Sequence, residues 1–180
     1  MMTRKTPILM FISLLAATGI AGVFYPDGAT TMHFAFEGSP NGDRPIIRPP
    51  AFYLHSAGFG FVDSPDLIGT VSGVQAPKYF RFDVNIPPGT YDVSVRVGSP
   101  NLPSNTTISA ENHHPMAANI QAAPRGNAVA NFTVEVKTSK DPKETSLDLD
   151  DRLTLEFTGD NPSMMKLDIK PHVAPAAPAK

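Results

Sequence analysis

The sequence predicts an all-β fold, a jelly-roll-like β-sandwich, from three observations. Stretches in which apolar and polar residues alternate recur roughly every ten residues, and this alternation is typical of strands with one face in a core. The 19 prolines and 13 glycines mark many turns between these stretches. No apolar stripe with the period of a helix follows the N-terminal region. Eight or more short strands with this spacing indicate a sandwich.

The most regular alternation lies in residues 78–98, KYFRFDVNIPPGTYDVSVRVG. Each arm of this stretch has one apolar and one largely polar face, as a half-buried antiparallel sheet requires. Pro88 and Gly89 fit the two central positions of a type II turn, because proline favours the first backbone conformation and glycine tolerates the positive φ of the second. The pattern therefore predicts one long β-hairpin.

Shorter patterns predict the other strands. They are residues 32–36, two pieces around a bend within 51–62, and residues 106–111, 129–137, 152–157 and 165–169. Residues 63–77 and 140–145 are predicted loops. For a chain of 180 residues one domain is expected, and we assign the sandwich to residues 32–171 and a Pro/Ala-rich tail to residues 172–180.

The N-terminal region differs from the rest of the chain. Two basic residues precede an apolar run at 8–20, and small residues follow it. This layout predicts a secretory signal peptide over residues 1–21, cleaved after Ala21, and a linker over residues 22–31. The apolar stretch continues past the cleavage site, so an uncleaved N-terminal anchor is the alternative. We expect a protein secreted by a bacterium or held in its periplasm.

Composition narrows the classes of partner. The formal net charge is −2 and the isoelectric point is about 6.2, so no long-range attraction for nucleic acid is expected. A membrane is expected as a partner only if the N-terminal segment stays uncleaved. The chain has no cysteine, which excludes a disulfide and a lipid-modified cysteine. No cofactor is expected.

Several spaced motifs carry a family resemblance. They are FAFEGSPNG near the start of the sandwich, AGFGF at 57–61, FRFDVNIPPGTYDVSVRVGSP at 80–100, TTISAEN at 106–112, DRLTLEFTGDNP at 151–162 and the closing LDIKP. Together they resemble the N-terminal β-sandwich of rhamnogalacturonan acetylesterases over residues 32–171. The resemblance implies a galactose-binding-like module that precedes a catalytic SGNH-hydrolase domain acting on acetylated pectic rhamnogalacturonan.

The sequence departs from that family at two places. After LDIKP the family soon reaches a Gly-Asp-Ser block with the nucleophilic serine, and this sequence ends at Lys180 before such a block. His113 and His114 stand where the family tends to have two arginines. We therefore expect a module without the catalytic part of its relatives.

The residues themselves also argue against catalysis. Gly159 and Asp160 resemble the start of the nucleophile block, but Asn161 follows them and offers no hydroxyl. Asp168 and His172 are four residues apart, which is not the spacing of the SGNH pair. No G-x-S-x-G nucleophile elbow is present. We predict that the chain is not an enzyme.

The predicted hairpin suggests a binding group. If Ile86 faces Tyr91, then Arg81 faces Arg96 and Asp83 lies diagonal to Arg96. Two guanidinium groups in this arrangement could bind the carboxylate of a uronate, since arginine suits bidentate contacts. The alternative is a surface ion network in which Asp83 bridges the two arginines.

Two further pairs are candidate sugar contacts. Tyr53 and Tyr79 have the opposite parity from their phenylalanine neighbours and could stack on a sugar ring, or pack at an edge of the sheet. His113 and His114 could form a hydrogen-bonding rim, or be ordinary exposed histidines, and adjacent strand residues do not chelate one ion. An acidic group at residues 148–151 could bind calcium or form a solvated loop, and no metal site is predicted.

The sequence therefore predicts an exported, non-catalytic carbohydrate-binding module directed to acetylated pectin-like polysaccharide. Two alternatives remain. The module could dock on a separately encoded hydrolase, as the family's module packs on its own catalytic domain. It could also be the front part of a truncated or split rhamnogalacturonan acetylesterase.

Overall fold

The computed structural model describes residues 31–36, 52–54, 57–111, 113–137 and 152–173. The predicted signal peptide and the predicted loop at 140–145 lie outside these residues, as does the linker apart from Thr31. The described part contains twelve strands and no helix. The strands are β1 (Met32–Ala35), β2 (Phe59–Val62), β3 (Ile68–Thr70), β4 (Gly73–Gln75), β5 (Tyr79–Asn85), β6 (Gly89–Gly98), β7 (Ser104–Ala110), β8 (His114–Ala122), β9 (Asn127–Val136), β10 (Arg152–Asp160), β11 (Ser163–Met164) and β12 (Lys166–Pro171).

These strands form three antiparallel sheets. The four-stranded sheet has the order β1-β12-β6-β9, the five-stranded sheet β2-β5-β10-β7-β8, and the three-stranded sheet β11-β4-β3. The two larger sheets enclose one apolar core. The predicted jelly-roll-like β-sandwich is confirmed. A helix with the length and apolarity needed to cross a membrane is not found in the described part of the chain.

The predicted hairpin at residues 78–98 is wrong, although both of its strands exist. Strand β5 pairs with β2 and β10, whereas β6 pairs with β9 and β12 in the opposite sheet. The link between them crosses from one sheet to the other, and the Tyr91 hydroxyl donates a hydrogen bond to Pro87 O at 2.7 Å at this corner. Alternating apolar residues are buried equally well whether two strands pair in a hairpin or face each other across a core. The alternation therefore could not distinguish these two arrangements.

Because the predicted hairpin does not form, the two arginines face other residues than predicted. Arg81 lies opposite Glu156 of β10, and Arg96 lies opposite Lys166 of β12. The predicted pairing of Arg81 with Arg96 is therefore wrong. The two side chains belong to different sheets, because the chain crosses the sandwich between them.

Four strands were not predicted, one of which is the two-residue strand β11. Strands β3 and β4 lie within the predicted loop at 63–77, and β8 follows β7 after the turn at His113. Strands β3 and β4 have three residues each, and β8 is an edge strand that is largely exposed. Such strands need no apolar alternation, so the sequence carries little signal for them.

A cluster of phenylalanines forms the centre of the core. The Phe82 ring is fully buried and lies 5.0 to 6.4 Å, between ring centroids, from four other phenylalanine rings of β1, β2 and the residue after β1. Phe80 stacks on Phe157 with their centroids 4.5 Å apart. Phe34 contacts both Phe59 and Phe82, so these rings join the two large sheets. With no cysteine in the chain, this packing holds the sandwich without disulfide support.

We expect the Phe82→Ala variant to lose about 3–5 kcal/mol of unfolding free energy, because it leaves a cavity among close-packed rings. Urea denaturation followed by tyrosine fluorescence measures the loss. Phe52→Ala is the matched control, since Phe52 is 63% exposed and its replacement should change stability by less than about 0.5 kcal/mol. Similar losses for the two variants would contradict the proposed centre of the core.

Candidate functional site

The outer face of the five-stranded sheet brings together five of the seven predicted site residues, Tyr53, Tyr79, Arg81, Asp83 and His113. Arg81 is their centre: its Nε and Nη2 atoms donate to the two carboxylate oxygens of Asp83, each at 2.7 Å. The side chains of Arg81 and Asp83 are 2% and 0% exposed. Burial by itself lowers the pKa of Arg81, but the hydrogen bonds and charge of Asp83 outweigh it and raise that pKa.

The second arginine of this cluster is Arg152, not Arg96. Arg152 Nη1 donates to Asp83 Oδ2 at 3.2 Å, and Nη2 donates to the Tyr53 hydroxyl at 3.0 Å. The guanidinium carbon lies 4.1 Å from the centroid of the Tyr53 ring, a cation–π contact. The Tyr53 hydroxyl in turn donates to Asn85 Oδ1 at 2.7 Å. We call Tyr53, Arg81, Asp83, Asn85 and Arg152 the ion-pair network.

A glycine allows Tyr53 to reach this network. A Cβ atom on Gly60 would lie 2.4 Å from the Tyr53 Cα, so the segment at 52–54 can cross the sheet only where β2 has no side chain. Gly60 also has a φ of +153°, a conformation that glycine adopts readily. The Tyr53 N–H donates to Phe61 O at 2.9 Å and fixes the crossing. Asp83 lies opposite Gly60, directly beneath this segment.

Tyr79, His113 and Glu156 lie beside the network. Burial, with the carboxylate of Glu156 adding to it, raises the pKa of Tyr79 to about 12. His113 Nδ1 bonds to Glu156 Oε2 from a turn in which His113 has a φ of +62°. His114 behaves differently: its Nδ1 bonds to the Glu111 carbonyl at 2.5 Å, and its side chain is exposed at the start of β8. The two histidines do not share a site.

The charged groups of the ion-pair network bind mainly to one another. Asp83 is shared by two guanidinium groups, and Arg81 is buried with it. This differs from the predicted surface network, because the polar face of β5 is covered. A buried ion pair of good geometry positions neighbouring segments, and here it ties the segment at 52–54 to β5 and β10.

A polar groove of about 590 Å³ lies on the outer face of the four-stranded sheet. Strands β6, β9 and β12 each supply two outward residues, because alternate side chains of a strand point to the same face, and β1 supplies His33. The registers align these residues in two rows across the sheet, and Thr31, just before β1, extends the first row by one position. The first row is Thr31, Lys170, Asp92 and Thr133, and the second row is His33, Asp168, Ser94 and Asn131.

Hydrogen bonds hold the first row in place. Asp92 Oδ1 accepts from Thr133 Oγ1 at 3.0 Å and from His172 Nδ1 at 2.8 Å, and Lys170 Nζ lies 3.9 Å from Asp92 Oδ2. The hydrogen bond from His172, followed by that from Thr133, lowers the pKa of Asp92. Asp92 therefore carries its negative charge over a wider range of acid pH than an ordinary aspartate.

The second row retains hydrogen-bonding capacity. His33 Nδ1 bonds to Asp168 Oδ1 at 2.5 Å and links β1 to β12. By contrast, neither Ser94 nor Asn131 makes a side-chain hydrogen bond within the described part of the chain. A hydroxyl and an amide can each donate and accept. The row therefore offers both kinds of hydrogen bond to a ligand.

A third row borders the groove. Arg96 and Lys166 are directly opposite each other and line a cavity of about 120 Å³ together with Ser94, Asp168 and Val129. Arg96 makes no side-chain hydrogen bond or ion pair to another described residue. A guanidinium group can bind the carboxylate of a ligand through two hydrogen bonds.

The groove is suited to binding and lacks the arrangement of a serine hydrolase. Ser94 lies opposite Asp168, and His33 lies on the far side of Asp168. Strands β1 and β6 are two strand spacings apart, or roughly 10 Å, so the His33 imidazole is not placed to activate the Ser94 hydroxyl. No group of three or more potential metal ligands occurs among the residues that the structure describes.

Sequence reasoning found Arg96 but missed the other groove residues. Outward polar positions can be recognised along single strands, such as Asp92, Ser94 and Arg96 on β6. Their alignment with β9 and β12 depends on pairings between distant segments, and the predicted hairpin assigned β6 to the wrong neighbour.

Comparison with solved structures supports the fold. The chain is similar to the crystal structure of protein YxiM from Bacillus subtilis, with a TM-score of 0.60 and 21% identity over 79% of this chain and 40% of that chain. At this identity the similarity shows the fold alone, and the chain spans 40% of the length of YxiM. No protein-family model and no curated protein matches the chain.

Two weaker similarities are to CBM35 structures. For CBM35 from Paenibacillus barcinonensis, the TM-score is 0.38 and the identity 13%, over 64% of this chain and 94% of that chain. For CBM35 of Abf62 from Cellvibrio japonicus, the values are 0.40 and 10%, over 80% of this chain and 95% of that chain. Similarities at this level carry no conclusion about function.

We expect Asp83→Asn to reduce the free energy of unfolding by about 3–5 kcal/mol, because two arginines then lose their shared carboxylate in a buried setting. Urea denaturation measures the loss. Asp92→Asn is the matched control at the surface and should reduce the free energy of unfolding far less, because exposed ion pairs contribute little to stability. If Asp83→Asn costs no more than this control, the network is not a structural element.

We expect His172→Ala to raise the pKa of Asp92 toward the ordinary value, because the main hydrogen bond that lowers it is removed. A carboxyl NMR titration measures this pKa. The lowered pKa stabilises the folded state above the pKa of unfolded aspartate, and this stabilisation is lost as the pH falls through the folded value. His33→Ala is the control and should leave the Asp92 pKa unchanged, since His33 bonds to Asp168.

Proposed function

We propose that this chain is a non-catalytic carbohydrate-binding module whose ligand lies in the polar groove of the four-stranded sheet. The observation that carries the proposal is the pair of rows of outward polar residues, to which all four strands contribute. Hydroxyl-rich ligands need several donors and acceptors in fixed positions, and hydrogen bonds hold Asp92 and Asp168 in place before any ligand binds.

The third row favours an acidic sugar. Arg96 is directly opposite Lys166, and its guanidinium group is not engaged by another described residue. A uronate carboxylate placed there would form charge-assisted hydrogen bonds with the guanidinium group of Arg96. In this proposal, Arg96 has the carboxylate-binding role expected from the sequence, with Lys166 in place of Arg81.

The proposed ligand is an acetylated pectin-like polysaccharide. The resemblance of residues 32–171 to the N-terminal module of rhamnogalacturonan acetylesterases supports it, as does the cationic pair beside the groove. The predicted signal peptide agrees with this ligand, because such a polymer is reached only after export from a bacterial cell. The partner is then the polymer or a hydrolase that acts on it, and a separate domain carries out the catalysis.

A second candidate function is docking on a hydrolase domain. Phe52 and Leu54 are 63% and 50% exposed, and they belong to the segment that crosses the five-stranded sheet. Two exposed large apolar residues on one short segment are a feature of protein contacts. This face lies on the opposite side of the sandwich from the groove, so docking there is compatible with carbohydrate binding.

We expect saturable binding of acetylated or deacetylated rhamnogalacturonan oligosaccharides to the purified chain in isothermal titration calorimetry. Arg96→Ala should weaken binding about 10- to 100-fold, because it removes a charge-assisted contact. Lys78→Ala removes an equal charge just before β5, away from the groove, and should bind as the wild type does. Arg81→Ala should lower the free energy of unfolding and leave the affinity of the folded protein for the oligosaccharide unchanged.

If neither oligosaccharide binds, the carbohydrate-binding proposal is overturned. Docking would then be tested by titrating a pectin hydrolase with the wild type and with a Phe52→Ser, Leu54→Ser variant. If the wild-type and Arg96→Ala proteins bind an acidic oligosaccharide with equal affinity, Arg96 does not bind the uronate carboxylate.

A further inference from the structure

Two aspartates occupy the middle of the polar groove. Asp92 lies on β6 and Asp168 on β12, the two central strands of the four-stranded sheet. Asp92 faces Lys170 and Asp168 faces Ser94, so the two aspartates are diagonal neighbours with Cα atoms about 7 Å apart. Their side chains are 31% and 35% exposed, so a ligand in the groove can reach both carboxylates.

Histidines hold one oxygen of each carboxylate and leave the other available. His33 Nδ1 bonds to Asp168 Oδ1, and His172 Nδ1 bonds to Asp92 Oδ1. Asp168 Oδ2 accepts no hydrogen bond from another described residue, and Asp92 Oδ2 has only the distant contact with Lys170 Nζ at 3.9 Å. A carboxylate oxygen can accept about two hydrogen bonds. The Oδ2 atoms are therefore positioned acceptors that face a ligand.

An acceptor of this kind distinguishes a free sugar hydroxyl from an esterified one. An ionised carboxylate only accepts hydrogen bonds, and a hydroxyl can donate to it. A hydroxyl that carries an O-acetyl group has no proton to donate, and the ester oxygens bring lone pairs toward the negative charge. Because the carboxylate is then desolvated without a partner, the acetylated ligand is rejected more strongly than the net contribution of one bond would suggest.

The other groups of the groove do not offset this rejection. Ser94 and Asn131 can donate to an acetyl carbonyl, but Ser94 lies directly opposite Asp168, so a carbonyl bound there would adjoin the carboxylate. Arg96 lies two residues from Ser94 along β6. Ser94 and Asp168 line both the groove and the cavity of Arg96. A uronate whose carboxylate contacts Arg96 would therefore place its ring hydroxyls toward Asp168.

From this arrangement, and resting on the proposed carbohydrate-binding function, we infer that the groove selects stretches of the polysaccharide whose hydroxyls are free of O-acetyl groups. Asp168 makes the selective contact, and Asp92 is the second acceptor. On an acetylated polymer, such a stretch arises when water hydrolyses an O-acetyl ester to acetate and the free hydroxyl. A reaction of this class must therefore supply the ligand, and the module binds where deacetylation has occurred.

Calorimetry with one rhamnogalacturonan oligosaccharide, either fully deacetylated or carrying O-acetyl groups, tests this inference. We expect the deacetylated form to bind about 10- to 100-fold more tightly, the effect of one charge-assisted hydrogen bond. Asp168→Asn should reduce this ratio to less than about threefold. The amide keeps an acceptor for His33, weakens the contact with a hydroxyl and adds a donor for an acetyl carbonyl.

Two further variants separate selectivity from general affinity. Asn131→Ala should weaken binding of both oligosaccharides by about 3- to 10-fold and leave their ratio unchanged, because an amide can both donate and accept. Asp160→Asn removes an equal charge from the end of β10 in the other sheet, and should change neither the affinities nor their ratio. A ratio that persists in Asp168→Asn would show that the bulk of the acetyl group causes the selectivity, and would overturn the role of Asp168.

The possible failures separate the two proposals. If the acetylated oligosaccharide binds the wild type as tightly as the deacetylated one does, or more tightly, the selectivity inference is overturned while carbohydrate binding stands. If neither oligosaccharide binds to the wild type, the proposed function and this inference are overturned together.

Discussion

Strand β5 must be buried on both of its faces, and much of the structure follows from this constraint. Its inner face contributes Phe80 and Phe82 to the core, and its outer face carries Arg81 and Asp83, which are almost fully shielded from solvent. Taking two charges out of water is costly unless they are paired with good geometry. The bidentate contact between them, supplemented by Arg152, offsets this cost. The segment at 52–54 then covers the network and completes that side of the sandwich.

The fold class and most strands could be predicted because alternation is a local property. The stretches that became β5, β6, β9 and β10 each have a regular apolar face, and the structure forms a strand at each. Strand pairing is not local. The link between β5 and β6 has the residues of a tight turn, yet it crosses the core, since both apolar faces are buried by packing against each other. Short or exposed strands such as β3 and β8 lack the periodic signal altogether.

The candidate site was less predictable than the fold, for the same reason. Five of the seven expected residues do converge on one face of the sandwich, but three of them belong to a covered network in which Arg152 takes the place expected for Arg96. No feature near Arg152 in the sequence indicates that it meets Asp83, because the two residues are 69 positions apart. The groove combines residues from 31 to 172, and only the sheet order shows that they form continuous rows.

The two outer faces of the sandwich point in opposite directions. A polysaccharide strand in the groove would leave the segment with Phe52 and Leu54 open to a protein, and a protein there would leave the groove open to a polysaccharide. A small rigid body of this kind can act as an adaptor. It would keep an attached catalyst at a high effective concentration beside an insoluble polymer, and the gain in avidity would need no contact between the catalyst and the groove.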